Sequence, residues 1–97
     1  MLRDVERGRY LILFYDYVDD VMERRAPHRE AHLAAIGALK DRGAVIAGGA
    51  LGDPVTGAAI VFDVPSEDEV REFVERDPYV AAGLVAGWRV VPWTVVT

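Results

Sequence analysis

The sequence predicts an α+β sandwich of the ferredoxin-like βαββαβ kind, and the order of its segments supports this prediction. Segments of strand and helix character follow one another as strand, helix, strand, strand, helix, strand, which is typical of two helices on one face of a mostly antiparallel sheet. The other sheet face would leave an apolar patch too large for a stable monomer of 97 residues. We therefore expect two copies of the chain to pair through their sheets.

The first strand is predicted at Tyr10–Tyr15, where the residues YLILFY form a short, continuous apolar run. Such a run is typical of a strand in the middle of a sheet, buried on both faces. Met1–Arg9 is rich in charge and is expected to form a flexible lead-in. One domain is then expected over residues 10–97, because a chain of this length has no room for a second.

The first long helix is predicted to run from Pro27 to Arg42, after a short helical turn over residues 21–24. Proline is tolerated at the first helical position because its missing N–H would have no partner there. Gly43 is typical of the residue that follows a helix. The apolar face is expected to comprise three residues at helical spacing: Leu33, Ile36 and Leu39.

Two strand candidates, Ala44–Leu51 and Ala58–Val64, are separated by a link that contains glycine, aspartate and proline. A link of this length and composition predicts an antiparallel hairpin. Gly48-Gly49 lies inside the first of these strands. This pair indicates either a bulge or a place where another group approaches the backbone closely.

Ser66 and Glu69 have the spacing of a capping box and predict the start of the second long helix. A last strand is predicted at Trp88–Val96, and Pro92 confines it to the edge of the sheet. Trp88 and Trp93 are five residues apart, so we expect them on opposite faces of this strand.

Composition excludes several classes of function. The net charge of −5, with basic residues dispersed among acids, argues against a nucleic-acid partner. No apolar run approaches the length of a membrane span, and no targeting segment is visible. Cysteine is absent, so disulfides, thiolate metal sites and a cysteine nucleophile are excluded. We expect a soluble, cytoplasmic protein that uses no metal or organic cofactor.

His32 is the first candidate for chemistry. With Arg29 placed at 0° on a helical wheel, His32 falls at about 300°, between Leu39 and Ile36 and on the same side as Arg29. Polar groups on a core-facing side need partners whether or not they act in catalysis. His32 is therefore either a core histidine satisfied by the backbone or a general acid/base that works near neutral pH.

Asp77 is the candidate for a carboxylate that orients one nitrogen of the His32 ring. It precedes Pro78, so it is also expected to cap a short helix over Pro78–Leu84. The two roles are compatible, because one carboxylate oxygen can accept the backbone N–H and the other an imidazole N–H. No spacing of histidines and acids in the sequence forms a metal site.

Four segments together resemble the YciI-like (YCII-related) family. They are Arg29–Leu33, Gly43–Gly48, Asp77–Leu84 and Trp88–Trp93, and the likeness extends over nearly the whole chain. Two residues depart from the family pattern. Glu30 replaces a common proline, and Gly49 stands where a proline often follows glycine.

The resemblance implies a ferredoxin-like fold that pairs into a dimeric α/β barrel. It also implies an active-site pocket whose catalytic residues correspond to His32 and Asp77, with Arg29, Tyr79 and Gly48 as substrate-binding residues. The family is similar in fold to muconolactone isomerase and to small cofactor-free monooxygenases. One branch includes a dehydrochlorinase of chlorinated hydroxyquinols.

Two hypotheses about function follow. The first is a cofactor-free enzyme in which His32 moves a proton during an elimination or isomerisation of a small acidic or phenolic molecule. The second is a non-catalytic module of the same fold that binds a small ligand or supports another protein. A cofactor-free oxygenase shares the fold, but nothing in the sequence selects it. All of these functions assume a homodimer or a higher oligomer of the chain.

Overall fold

A computed structural model describes residues 6–97 of the chain. Within this range the chain forms four strands and four helices in the predicted α+β order, with two of the helices only one turn long. The elements are β1 (Gly8–Tyr17), α1 (Val21–Arg24), α2 (Ala26–Asp41), β2 (Val45–Leu51), β3 (Gly57–Phe62), α3 (Glu67–Arg76), α4 (Pro78–Ala81) and β4 (Val85–Val95).

The four strands form one antiparallel sheet with the order β2-β3-β1-β4. β1 lies in the middle, as its continuous apolar run predicts, and pairs with both β3 and β4. β4 lies at the edge, where Pro92 is the residue opposite Leu11. The edge position accommodates this proline because the side of the strand that faces away from β1 needs no ladder hydrogen bond.

The two faces of the sheet differ in burial. The helix-covered face contains the main core, which centres on Leu13, Tyr15, Ile60 and Phe62 and packs against α3. The opposite face is partly open, and Trp93 lies there beside Tyr10, with the two ring centroids 6.2 Å apart.

Trp88 lies on the helix-covered face, where Arg71 of α3 stacks over its ring. The two tryptophans therefore point to opposite faces, as their spacing predicts.

α2 begins and ends within one residue of its predicted limits. Gly43 adopts φ +81°, and Gly43 and Ala44 donate backbone hydrogen bonds to Lys40 and Leu39, which is the Schellman arrangement that ends many helices. The predicted apolar face of α2 is wrong at Leu33, which is 47% exposed. Leu33 follows His32 and is therefore rotated by about 100° from the buried side of the helix.

The start of β1 and the first turn of α3 differ from expectation. The expected lead-in over residues 1–9 lies partly outside the described residues, and the strand β1 already begins at Gly8. Ser66 is the N-cap residue of α3, but its side chain makes no capping hydrogen bond, so the predicted capping box does not form. Three acidic side chains in the first turn of α3 complement the helix dipole instead.

Candidate active site

His32 is the buried residue of α2, with 5% of its surface exposed. Its ring lies flat against the ring of Tyr79 from α4, with centroids 3.7 Å apart and planes 4° from parallel. The helix α2 thus presents one polar ring to the interior, and the short helix α4 covers one face of that ring.

Asp77 lies at the edge of the His32 ring, beside Nδ1, and is 1% exposed. Its Oδ1 is 2.7 Å from His32 Nδ1 and also accepts the backbone N–H of Tyr79 at 3.0 Å. Its Oδ2 accepts the hydroxyl of Tyr15 at 2.7 Å. Asp77 therefore caps α4 and contacts the histidine at once, but one oxygen does both and a tyrosine takes the other.

These contacts define which nitrogen of His32 is available for chemistry. A carboxylate at Nδ1 accepts the Nδ1 proton and so favours the tautomer in which Nε2 carries a lone pair. Nε2 makes no hydrogen bond to any described residue, and it is not among the fully enclosed polar atoms of this part of the chain. Nε2 is therefore the atom of this pair that can accept a proton from another molecule.

Tyr15 is a site residue that the sequence did not reveal. It belongs to the apolar run of β1, where it is indistinguishable from a core aromatic residue until the sheet register places it beneath α4. Burial, together with the adjacent Asp77 carboxylate, raises the pKa of the Tyr15 hydroxyl far above its ordinary value. The phenol therefore stays protonated and acts as a donor to Asp77.

Tyr17, two residues further along β1, extends the site towards the start of α2. Its ring meets the Tyr79 ring edge-on, with centroids 6.0 Å apart. Burial raises the pKa of Tyr17 to about 12, Tyr79 and Asp77 add to this rise, and Arg25 and Arg29 oppose it.

Arg29 differs from its expected core-facing position, because it is exposed. Its long side chain can carry the guanidinium to solvent while the Cα remains on the His32 side of the helix. Tyr79, by contrast, is buried, and its hydroxyl oxygen has no hydrogen-bond partner within residues 6–97. The structure thus brings His32, Asp77 and Tyr79 into contact, whereas Arg29 is exposed and makes no hydrogen bond or ion pair with them.

Gly48 lies on the helix-covered side of β2, where its α-carbon faces Ile36 of α2 and Ile60 of β3. Ile36 is one helical turn beyond His32. A Cβ added at Gly48 would meet these side chains at 3.5 to 3.7 Å, which is ordinary contact, so the position does not require glycine for steric reasons. The register shift in β2 falls just before it, between Val45 and Ala47.

Two clefts of the described residues lie away from this group. One, of about 590 Å³, lies between the start of β1, the start of α3 and Pro92. The other, of about 200 Å³, lies beside Gly43 and Asp63. Neither cleft is lined by His32 or Asp77. Within residues 6–97, no cluster of three histidine, cysteine or acidic side chains could hold a metal, and no helix is long and apolar enough to cross a membrane.

The fold and the site together define a class of protein: a ferredoxin-like α+β domain with a buried His–Asp pair. The family model described as the YCII-related domain matches residues 8–94, and the chain belongs to this family. Protein YciI of Escherichia coli O6:H1 (strain CFT073) is 31% identical over 93 residues, covering 87% of this chain and 94% of that protein. Protein YciI of Shigella flexneri gives the same values.

Solved structures resemble the whole domain. The 5-chloro-2-hydroxyhydroquinone dehydrochlorinase TftG of Burkholderia phenoliruptrix AC1100, in complex with 2,5-dihydroxybenzoquinone, is 29% identical with a TM-score of 0.74, over 88% of this chain and 93% of that chain. A dimeric ferredoxin-like protein of unknown function from Thermobifida fusca YX is 21% identical with a TM-score of 0.52, over 92% of both chains, and this likeness concerns the fold alone.

Proposed function

We propose that the protein is a small-molecule lyase or isomerase in which His32 transfers a proton to or from an acidic or phenolic substrate. The observation that carries this proposal is the difference between the surroundings of the two nitrogens of the His32 ring. Its Nδ1 is 2.7 Å from a buried carboxylate, while Nε2 has no hydrogen-bond partner among the described residues. A ring held in this way is suited to general acid/base chemistry, because the carboxylate orients the imidazole and stabilises its protonated form.

The likeness to TftG supports elimination as the reaction type. That protein is a dehydrochlorinase of a chlorinated hydroxyhydroquinone, and it resembles this chain over most of both sequences. In the corresponding step here, the substrate would react as its keto tautomer, in which the carbon that bears chlorine is sp³. His32 Nε2 would accept a proton from a ring hydroxyl, the O–H electrons would form a carbonyl, a ring double bond would shift, and the C–Cl electron pair would leave with chloride. The sum of the step is loss of HCl, so it requires no oxidant.

The proposed assembly is a homodimer in which the partly open sheet faces pair to form an α/β barrel. Three large apolar side chains of the partly open sheet face are exposed to solvent: Leu51, Val91 and Trp93, which are 36 to 40% exposed. A second copy would cover them.

We also propose the cytoplasm as the compartment, because a chain without cysteine has no need of an oxidising one.

A second candidate function is a non-catalytic module that binds a small ligand. The burial of the group is compatible with a role outside catalysis, because His32, Asp77 and Tyr79 are all at least nine-tenths buried. A buried His–Asp contact can also serve stability alone, since buried polar groups need partners wherever they occur.

Release of chloride from 5-chloro-2-hydroxyhydroquinone under anaerobic conditions tests the proposed lyase. We expect release by the wild-type protein and a rate at least about 100-fold lower in His32→Gln. His28→Gln is the matched control, because His28 lies in the same helix outside the buried group, and we expect its rate to remain within about twofold of wild type. An equal rate in His32→Gln contradicts the proposal.

The same variants separate the two candidate functions. A wild-type protein that binds 2,5-dihydroxybenzoquinone but releases no chloride from the chlorinated compound supports the ligand-binding module. In that case His32→Gln is expected to lower the melting temperature without a change in any reaction rate.

A further inference from the structure

Tyr79 is buried beside the His32–Asp77 pair and has almost no contact with solvent. Only 2% of its surface is exposed, and its hydroxyl is fully enclosed without a hydrogen-bond partner among the described residues. The family resemblance implies that this residue contacts the substrate. A side chain buried to this degree offers almost no surface to a ligand, so its contacts within the protein are the evidence for its role.

The ring of Tyr79 restrains the plane of the His32 ring. The two rings are parallel within 4° and their centroids are 3.7 Å apart, so the phenol covers one face of the imidazole. The χ2 torsion of histidine is broad, because it joins an sp³ to an sp² carbon. Asp77 holds Nδ1 at the ring edge, at 2.7 Å, and the Tyr79 ring opposes rotation out of the ring plane. The two contacts together fix the direction in which Nε2 points.

The backbone of Tyr79 restrains the other member of the pair. Its N–H donates to Asp77 Oδ1 at 3.0 Å, and this is the oxygen that contacts His32 Nδ1. A carboxylate at the N-cap commonly accepts the N–H two positions later, and here the same bond holds the carboxylate in place. Tyr79 therefore holds the imidazole with its side chain and the carboxylate with its main chain.

The Tyr79 ring is itself held by neighbouring side chains, so it can act as a fixed surface. Tyr17 meets it edge-on, with centroids 6.0 Å apart and planes at 72°. Val21 and Leu84 form a buried cluster with it, separate from the main core. The phenol hydroxyl takes part in no hydrogen bond within residues 6–97. The position of the residue is therefore explained by its ring and not by its hydroxyl.

We infer that Tyr79 is a positioning residue for the His32–Asp77 pair, acting through its ring face and its backbone N–H, and that its hydroxyl takes no part in substrate binding. This inference rests on the proposed function, because the direction of Nε2 matters where that atom transfers a proton. A misplacement of about 1 Å can cost about 100-fold in rate. Phenylalanine should then replace Tyr79 without loss, whereas a side chain without a flat ring should not.

Tyr79→Phe separates positioning from substrate contact. The variant keeps the ring and the backbone N–H and removes only the unpaired hydroxyl, so it tests the inference even if larger changes unfold the protein. We expect kcat and KM for chloride release to stay within about twofold of wild type. The melting temperature should be unchanged or higher, because no hydrogen bond is lost. A KM that rises about fivefold or more would show that the hydroxyl contacts the substrate and would overturn the inference.

Tyr79→Leu tests the ring, because leucine keeps an apolar side chain and the N–H but has no flat face. We expect kcat to fall about tenfold or more with KM within about twofold of wild type, since the substrate loses no contact. Carbon-13 relaxation of the His32 ring C–H groups gives a readout that does not depend on activity. The order parameter should fall from about 0.85 in wild type and Tyr79→Phe to below about 0.6 in Tyr79→Leu. An unchanged order parameter in Tyr79→Leu overturns the inference.

Phe62→Leu is the matched control, because it removes another buried ring, 1% exposed, from the main core. Phe62 pairs with Leu11 of β1, at about 13 Å along the strand from Tyr15. This variant should lower the melting temperature but keep kcat and the His32 order parameter. Equal changes in both leucine variants would indicate a general loss of packing and reject the positioning role. If wild type releases no chloride, the proposed lyase fails, while the order parameters still decide whether Tyr79 orients the ring.

Discussion

At the scale of single residues, the site depends on a chain of contacts from Tyr15 through Asp77 to His32. Tyr15 and the backbone of Tyr79 hold the carboxylate in place, and the carboxylate holds one nitrogen of the imidazole. Each member is buried, so the removal of one leaves a polar group of the next without a partner. Substitutions of Asp77 and Tyr15 should therefore have different effects, which can be measured separately.

Asp77→Asn should remove the negative charge beside His32 and keep the tautomer. The amide oxygen can take the place of Oδ1 and accept from both His32 Nδ1 and the Tyr79 backbone N–H, and its NH₂ group then faces the Tyr15 hydroxyl, which must accept instead of donate. The carboxylate would no longer oppose the positive charge that forms when Nε2 accepts a proton, so we expect chloride release to fall about tenfold or more. Asp20→Asn, at an exposed acid, serves as the control, and an unchanged rate in Asp77→Asn would exclude this role of the carboxylate.

Tyr15→Phe removes the hydroxyl that donates to Asp77 and leaves a charged acceptor short of one partner. Loss of a hydrogen bond to a charged group should lower the free energy of unfolding by about 1.5–3 kcal/mol. Tyr10→Phe, in the same strand, loses a bond to the neutral backbone carbonyl of Glu6 and should lower it by about 0.5–1.5 kcal/mol. Urea unfolding at equal protein concentration measures both, and a Tyr15→Phe effect no larger than that of Tyr10→Phe would contradict the expectation.

The raised pKa of Tyr17 predicts a loss of stability at alkaline pH. A phenol that holds its proton to about pH 12 in the folded state, against 10.0 ordinarily, contributes its full stabilisation below pH 10. As the pH rises from 10 to 12, the unfolded chain has lost this proton and the folded chain has not, so stability falls by at most about 1.4 kcal/mol per pH unit. The actual slope is smaller because Tyr17 is partly exposed.

Denaturant unfolding between pH 9 and pH 12 measures this slope. Tyr17→Phe is expected to lose stability less steeply than wild type over the same range. Identical slopes in the two proteins would show that the Tyr17 hydroxyl does not titrate in the way described.

At the scale of elements, the site depends on how closely β3 approaches β1. Gly57 begins β3, and a Cβ at this position would collide with the backbone carbonyl of Tyr15. Gly57→Ala should therefore shift β3 away from β1 and lower the free energy of unfolding by about 1–3 kcal/mol. Gly49→Ala in β2 is the matched control, because its added methyl group meets nothing within 4 Å and should change stability little. Equal effects would contradict the close approach.

The elements also show what could be predicted from the sequence. Helix periodicity alone places His32 on the buried side of α2, and the Asp-Pro pair alone places Asp77 at the start of α4. Their contact was a hypothesis, supported by the family resemblance, that neither local pattern establishes alone, because the two residues are 45 positions apart in the chain. Tyr15 was missed for the same reason: the apolar run of β1 shows a strand, but only the register of the sheet shows which of its aromatic residues reaches Asp77.

At the scale of the whole molecule, the uncovered sheet face predicts the oligomeric state. Val91 and Trp93 lie exposed on the edge strand β4, and Leu51 lies exposed on the opposite edge strand β2. If a second copy covers this face, the wild-type protein should sediment with twice the mass of one chain. Val91→Lys should shift it towards the monomer, because a charge would be buried without a partner in the interface.

Leu33→Lys is the control for this experiment. Leu33 is as exposed as these residues, but it lies on α2, in the helical layer on the other side of the sheet, so the substitution should leave the dimer intact. Analytical ultracentrifugation over a range of protein concentrations distinguishes the outcomes. A monomeric wild type, or equal dissociation of both variants, would reject pairing through the sheet. Dissociation by Val91→Lys alone would show that a second copy covers the apolar side chains of the open sheet face.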